Sequence, residues 1–421
     1  MAKSSAAAAR RMGMAEDGEM VPGRRVVTSP APAADPAPPL EDEDLLSESL
    51  LRLPPRPSSL PRASLVCKLW RRLLADHRFL RRFRAHHGAP PLLGFFSSDA
   101  RGVEFTPALG PPDRLPAARF SLRLRDPSAA LLGCRHGRVL AVSWSQPYFL
   151  VWDPLAGDRR RVAILPALDN LRHLTGGAVV CAAAGGGRAH ARGGGCQACP
   201  FHLVMVATSW EGASACVYSS ETGEWGDLIT MPWPDPLQNE IIQPFFSVDC
   251  PSTLVGNCIC WLLIGTRAAI LQFDLDTQSL AVVEAPEGAY DIHALVHGQC
   301  QFLITPAGGG GLGFLVLSGF NARLWKRTAD SDGIAGWVLV NDIEVANLLS
   351  LRPGVDTGPP KVVGFAEEEN AVFLWTAVGV FMVYLDSLQF TKLSESMGCR
   401  LHHPYKSFYA AGVLKEFCAG C

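Results

Sequence analysis

The side chains from which this sequence could build a metal centre are cysteines and histidines at short spacing, and one stretch has that pattern. Cys196-Gln197-Ala198-Cys199, with His190 and His202 close by, offers the ligand types and two-residue gap that suit tetrahedral zinc. It lies within a glycine-rich run, however, and the other Cys-x-x-Cys pair, Cys418 and Cys421, is far away in the chain. Free thiols in a loop are expected there, and no metal is assigned. Cys258-Ile259-Cys260 is read as strand, its thiols buried and pointing to opposite faces, so that they cannot share an ion. Gly308-Gly309-Gly310-Gly311-Leu312-Gly313 looks like a phosphate-cradling loop, but no Lys-Ser or Lys-Thr follows, and a flexible hairpin loop is expected instead. No Gly-x-Ser-x-Gly elbow occurs, and the histidines form no zinc-protease pair. No catalytic residue and no cofactor are assigned, and no enzyme activity is expected.

The elements that would carry any site fall into three textures. Residues 1–40 are dominated by Ala, Pro, Gly and Arg and are read as a disordered tail, because they cannot bury enough apolar surface to fold. Residues 41–88 read as a helical module. Leu45, Leu46, Leu50 and Leu53 recur at helical spacing until Pro54, Pro55 and Pro57 stop them. Leu65, Val66, Leu69, Trp70, Leu73 and Leu74 form a broad apolar stripe on a second helix opening at Ser58. Asp76 is placed to cap a third helix carrying Phe79, Leu80 and Phe83. From residue 92 to 421, short runs rich in Val, Leu, Phe and Trp are cut by Gly, Asp, Asn or Pro, an all-β pattern.

Within that region a strand-turn-strand motif recurs at Val151-Trp152-Asp153, Val217-Tyr218-Ser219, Phe273-Asp274 and Tyr384-Leu385-Asp386. The unit is about 50 residues, with a degenerate copy expected near Phe320 to Trp325 and a Gly-rich insertion at 182–198 stretching one interval. Such a period is that of kelch-type propeller blades. Six or seven blades are expected, with a β-sandwich pair as the alternative. The run Ala371 to Leu385 falls short of a membrane span and reads as two buried strands.

Composition narrows the partners. A formal net charge of -2 argues against whole-protein attraction to nucleic acid or an anionic membrane, and neither is expected as a partner. The thirteen cysteines are spread along a chain with no secretory signal, so reduced thiols in cytoplasm or nucleus are expected. The helical module itself is basic, with Arg52, Arg56, Arg62, Lys68, Arg71, Arg72, Arg78, Arg81, Arg82 and Arg84 set against Asp76. A solvated face, or steering toward an acidic partner, accounts for it.

The stretch from Asp44 to Leu73, above all Val66-Cys67-Lys68-Leu69-Trp70, resembles the F-box of plant F-box proteins. The following Phe79-Leu80-Arg81-Arg82-Phe83 and Pro90-Pro91-Leu92-Leu93-Gly94-Phe95-Phe96 resemble members in which a β-propeller-like associated domain follows. The resemblance implies a substrate receptor of a Skp-cullin-F-box ubiquitin ligase. Leu45, Leu46, Leu50, Leu53, Leu65, Val66 and Trp70 would divide between a small core and contact with the Skp-type adaptor, which leads to the cullin-RING scaffold. The β-domain would bind a protein target, with Trp144, Trp210, Trp233, Trp325 and Arg159-Arg160-Arg161 as recognition or packing residues. Two positions depart from the family pattern: Glu41-Asp42 replaces Leu-Pro, and Ser49 replaces isoleucine. The alternative is therefore an adaptor-independent interaction module with a drifted F-box.

Overall fold

The computed structural model describes residues 42–99, 102–124, 126, 129–166, 168, 175–182, 199–235, 237, 242–246, 250–289, 300–329, 335–352, 358–395 and 397–409. The tail at 1–40 and the Cys196 thiol lie outside the described residues. By contact the chain divides into Met1–Leu46 and Ser47–Cys421.

Four helices, rather than three, open the described chain: α1 (Glu43–Leu51), α2 (Ser59–Ser64), α3 (Lys68–Ala75) and α4 (His77–His87). Acidic Glu43 and Asp44 occupy the first turn of α1, where the exposed amides favour negative charge. The Asp42 carboxylate accepts from the amides of Asp44 (2.9 Å) and Leu45 (3.2 Å). The second helix expected from the apolar stripe is broken in two. Cys67 adopts an extended conformation, φ -158° and ψ 173°, which no helix accommodates. Asp76 caps α4 by accepting from the Arg78 amide at 2.9 Å.

Six antiparallel sheets follow, the blades of a six-bladed propeller. Blade I is composite: its innermost strand is His403–Lys406, followed outward by Leu92–Asp99, Gly102–Pro107 and Leu122–Arg123. Blade II runs Ala130–Arg135, Arg138–Ser143, Tyr148–Trp152 and Arg159–Ala163. Blade III runs Thr175–Cys181, Phe201–Thr208, Gly212–Ser219 and Ile229–Pro232. In blade IV the inner edge is split between Phe245–Phe246 and Thr253–Val255, both pairing Cys258–Ile264, with Ala268–Asp274 and Ser279–Glu284 outside. Blade V runs Cys300–Ala307, Gly311–Ser318, Asn321–Ala329 and Ala335–Glu344; blade VI runs Lys361–Ala366, Ala371–Thr376, Gly379–Tyr384 and Phe390–Ser394.

Each blade has two apolar faces, and burial falls away at the outermost strand. Arg138–Ser143 is buried at every residue, whereas Arg159–Ala163 at the rim is exposed at four of five. A strand covered on both faces needs no polar alternation, which is why the sequence shows continuous apolar runs. Phe95 and Phe96 show how neighbours are joined. Successive residues of a strand point to opposite faces, so Phe95 stacks edge-on against Phe373 of blade VI (5.1 Å). Phe96 meets Trp152 of blade II at 5.5 Å.

The recurring sequence motif is the turn between third and fourth strands. Asp153 accepts from the amides of Leu155 and Ala156 (2.9 and 3.0 Å), and Asp274 from those of Asp276 and Thr277 (2.9 and 2.8 Å). These are the side-chain turns that aspartate favours. The expected copy at Phe320 to Trp325 instead spans the connection from second to third strand and the start of the third strand in blade V. The reading of Cys258 and Cys260 is also corrected: residues two apart on a strand share a face. Cys260 lies in the core shared by blades IV to VI and Cys258 packs against it. Burial pushes the two thiols up to about 11 and about 12. Among the described residues no group of three or more ligand side chains is placed to hold a metal, and no helix is long and apolar enough to cross a membrane.

The strand that completes blade I is acid-sensitive. Burial, with help from the charges of His402 and Arg135, pushes His403 down to about 3, while an unfolded histidine keeps its ordinary value of 6.5. The unfolded chain takes up a proton first, so stability is full above pH 6.5 and is lost as pH falls toward 3. Urea unfolding should therefore lose about 2 kcal/mol between pH 6.5 and 5 on account of His403, and His403→Gln should remove that part of the slope.

Candidate partner-docking surface

The helical module sorts its apolar residues by exposure. Leu46 and Leu50, at 0% and 2% exposed, are core, as are Leu60, Leu74, Phe79 and Phe83. Leu53 and Trp70 are half-buried. Leu45 is 54% exposed, and Leu65 and Val66, in the break between α2 and α3, are 72% and 62% exposed. The seven residues grouped by the sequence thus divide into two that fill the module, two that line its edge and three that face solvent. Adjacent exposed aliphatics on a helix-helix corner are an unusual use of apolar surface.

Position explains the two departures noted in the sequence. Asp42 supplies the cap of α1 and Ser49 is exposed, so neither of these two stands in place of a core side chain; Glu41 lies outside the described residues. The basic residues are also less isolated than they looked. Arg82 donates to Ser47 Oγ at 3.1 Å and pairs with Glu48, Arg71 Nε donates to the Ser64 carbonyl at 3.3 Å, and Arg56 lies 3.7 Å from Asp113. Arg62, Lys68, Arg71 and Arg72 remain exposed around the Leu65-Val66 corner.

Helices α2 to α4 are seated on the propeller at blade I. Asp113, in the connection between the third and fourth strands, accepts from the Ser58 amide at 3.0 Å. Burial works against the Asp113 charge, but hydrogen bonds from Ser58 and the nearby Arg56 and Arg62 outweigh it and lower its pKa. Phe83 of α4 packs edge-on to Phe408, 6.4 Å between ring centres. Strand alternation puts these contacts at the end of the ring that carries the first-to-second and third-to-fourth turns. The connections between blades emerge at the other end.

At the seated end, a cavity of about 260 Å³ opens among Gly133, Ser252, Glu367, Tyr405 and Phe408. Arg135 spans it. Its Nε donates to Glu367 at 2.9 Å and its Nη1 to Ser252 Oγ at 3.1 Å, while Glu367 also accepts from the Leu254 amide at 3.2 Å. Glu367 precedes the turn of blade VI, and Ser252 and Leu254 belong to blade IV's inner edge. One guanidinium therefore ties alternate blades II, IV and VI. Lys406 pairs with Glu368 and Glu369 beside it. Burial pushes the thiol of Cys134, which lines the cavity, far above the ordinary thiolate range.

The remaining recognition candidates separate as well. Trp233 and Trp325 are buried and Trp144 half-buried, whereas Trp210 is 63% exposed. Trp210 stands on a turn at the end away from the helical module. That turn is held from beneath by Trp233, whose Nε1 donates to the Ser209 carbonyl at 2.9 Å and whose amide donates to the Glu211 carbonyl at 3.1 Å. Arg159 and Arg161 lie over Trp152 and Tyr148, at 5.8 and 4.9 Å from the ring centres. Asp113 and Arg135 were missed in the sequence, since nothing local marks their distant partners.

Two family models match the chain: the F-box domain over residues 42–82, and "F-box protein AT5G49610-like, beta-propeller" over residues 130–401. Among solved structures, the chain is similar to the WD40 domain of SCAP from fission yeast, at 10% identity and a TM-score of 0.33, covering 65% of this chain and 53% of that one. It is similar to the dihydro-heme d1 dehydrogenase NirN, at 12% identity and a TM-score of 0.31, covering 59% and 46%. It is also similar to apo AztD from Citrobacter koseri, at 11% identity and a TM-score of 0.34, covering 74% and 96%. The chain thus spans about half the length of the first two. No curated protein matches it.

Arg135 is 9% exposed and Glu367 22%. Removing one member of a buried pair leaves the other charge uncompensated, so Arg135→Met should cost about 3–5 kcal/mol in chemical denaturation. The double variant with Glu367→Gln should recover part of that loss.

Proposed function

The chain belongs to the F-box proteins with an AT5G49610-like beta-propeller, and from that premise we propose that it is a non-catalytic target receptor of a Skp-cullin-F-box ubiquitin ligase. The observation that carries this reading is the Leu65-Val66 corner. Two aliphatic side chains held in solvent at the break between α2 and α3 lose nothing in the free chain by being covered, and gain the burial free energy when a partner covers them. The exposed Arg62, Lys68, Arg71 and Arg72 around them favour an acidic partner surface and speed encounter. A Skp-type adaptor is the partner assigned to this corner, with half-buried Trp70 and Leu53 supporting it.

The propeller then acts as the target-binding part, in cytoplasm or nucleus. Its blade-to-blade connections point away from the end where the helical module is seated, so a target held there and an adaptor held by the module do not compete for one surface. Trp210, large and presented on a turn fixed by Trp233, is the residue best placed to anchor a target, because rigid exposed aromatics lose little entropy on binding. Catalysis in this reading is proximity: the receptor raises the local concentration of target lysines near the charged conjugating enzyme.

Co-purification of the full chain with a Skp-type adaptor tests the reading. Leu65→Asp with Val66→Asp should abolish the association while shifting unfolding by no more than about 0.5 kcal/mol, as expected for exposed positions. Leu50→Asp, in the core, should instead destroy both fold and association. An intact chain that never associates with an adaptor would overturn the proposal.

A further inference from the structure

Every blade ends in an outer strand whose free backbone groups can pair with another chain, and proteins guard such edges. Five of the six are guarded here. Blade I ends in two residues, Leu122–Arg123; blade II presents Arg159, Arg160 and Arg161; blade III ends at Pro232. Blade IV's edge is half-buried and ends in Glu284, and blade VI's short edge carries Lys392. Blade V differs. Ala335–Glu344 is ten residues long, carries no charge before Asp342, and exposes Val338, Leu339 and Val340 in succession at 54%, 47% and 51%. Its one guard is a bulge, the extra residue at Val340 opposite Leu324 and Trp325, which puts another aliphatic in solvent and no charge. Among the described residues nothing pairs with the outer side of this strand.

We propose that Ala335–Glu344 pairs antiparallel, across a two-fold axis, with the same strand of a second copy of this chain. The charge pattern selects that occupant. A two-fold antiparallel pair lays the C-terminal half of one strand beside the N-terminal half of the other, and is self-complementary only if the two halves differ in sign. The C-terminal half carries exposed Asp342 and Glu344, with Arg323 opposite Asp342 offsetting one of the two charges and leaving that half net acidic. The N-terminal half is uncharged, but its in-sheet neighbours opposite Val338 and Trp337 are Lys326 and Arg327. Centred on Leu339, the pairing sets Asp342 of one copy beside Gly336 of the other. Gly336 faces Thr328 in its own sheet, and with no side chain on the glycine the carboxylate can reach diagonally toward Lys326, which lies opposite Val338. The aliphatic run gains cross-strand side-chain neighbours on each face, and blade V of the two copies becomes one continuous sheet. The assembled receptor is bivalent, a property that does not rest on the adaptor reading.

Sedimentation equilibrium of the full chain over a range of concentrations tests this. The expected result is a reversible species of twice the chain mass. Leu339→Lys should remove it with little change in thermal unfolding, and Val338→Lys serves if the first variant folds poorly. Asp342→Lys should weaken it at least tenfold, and adding Lys326→Glu should restore much of the loss. A chain monomeric at every concentration, or a dimer untouched by either lysine, would overturn the proposal. So would a monomer whose 335–341 amides gain hydrogen-exchange protection only when an extended target segment is added, which would make the edge a strand-addition site.

Discussion

A blade apolar on both faces cannot exist at the end of a row, and this constraint governs the molecule. The ring satisfies it by making blade I from two parts of the chain, Leu92–Asp99 pairing with His403–Lys406. Phe95 and Phe96 then press in opposite directions, into Phe373 of blade VI and Trp152 of blade II. The interblade cores succeed one another around the ring without a gap. Close backbone approaches follow from the same closure: a Cβ on Gly364 would stand 2.2 Å from the His402 carbonyl, so that position admits no side chain. The charges of Arg135, Glu367 and Lys406 are tolerated near the axis because each is paired and hydrogen-bonded there.

The closed ring gives helices α2 and α4 a seat. Asp113 and Phe408 hold α2 and α4 at the end of the propeller where turns within blades cluster. The Leu65-Val66 corner is left in solvent. A receptor that bridges two partners benefits from such an arrangement, because slack between its modules would dilute the effective concentration that proximity supplies.

Much of this was legible in the sequence where the cause is local. Asp153 and Asp274 mark their turns because an aspartate carboxylate reaches amides two and three residues on. Ala371–Thr376 and Gly379–Tyr384 read as buried strands because both faces are covered. Where the cause is distant or conformational, the reading stopped. Leu65 and Val66 fit an unbroken helical stripe, and only the extended backbone at Cys67 lifts them out of it. The division of Leu45, Leu46, Leu50 and Leu53 between core and solvent depended on how the helices pack. The pairing of Leu92 with Lys406 has no sequence signature, and blade number, set by that closure, was open between six and seven until the ring was seen.

That closure also orders events during synthesis. The partner of Leu92–Asp99 is translated more than three hundred residues later, so five blades and an unfinished sixth must wait on the ribosome with Phe95 and Phe96 partly bare. The helical module, made of contacts close in sequence, has no such delay. A nascent chain therefore acquires its short-range half early and its ring only when residue 406 has emerged. Any stop codon that removes His403–Lys406 leaves a chain that keeps the local contacts of the helices but has no closed ring.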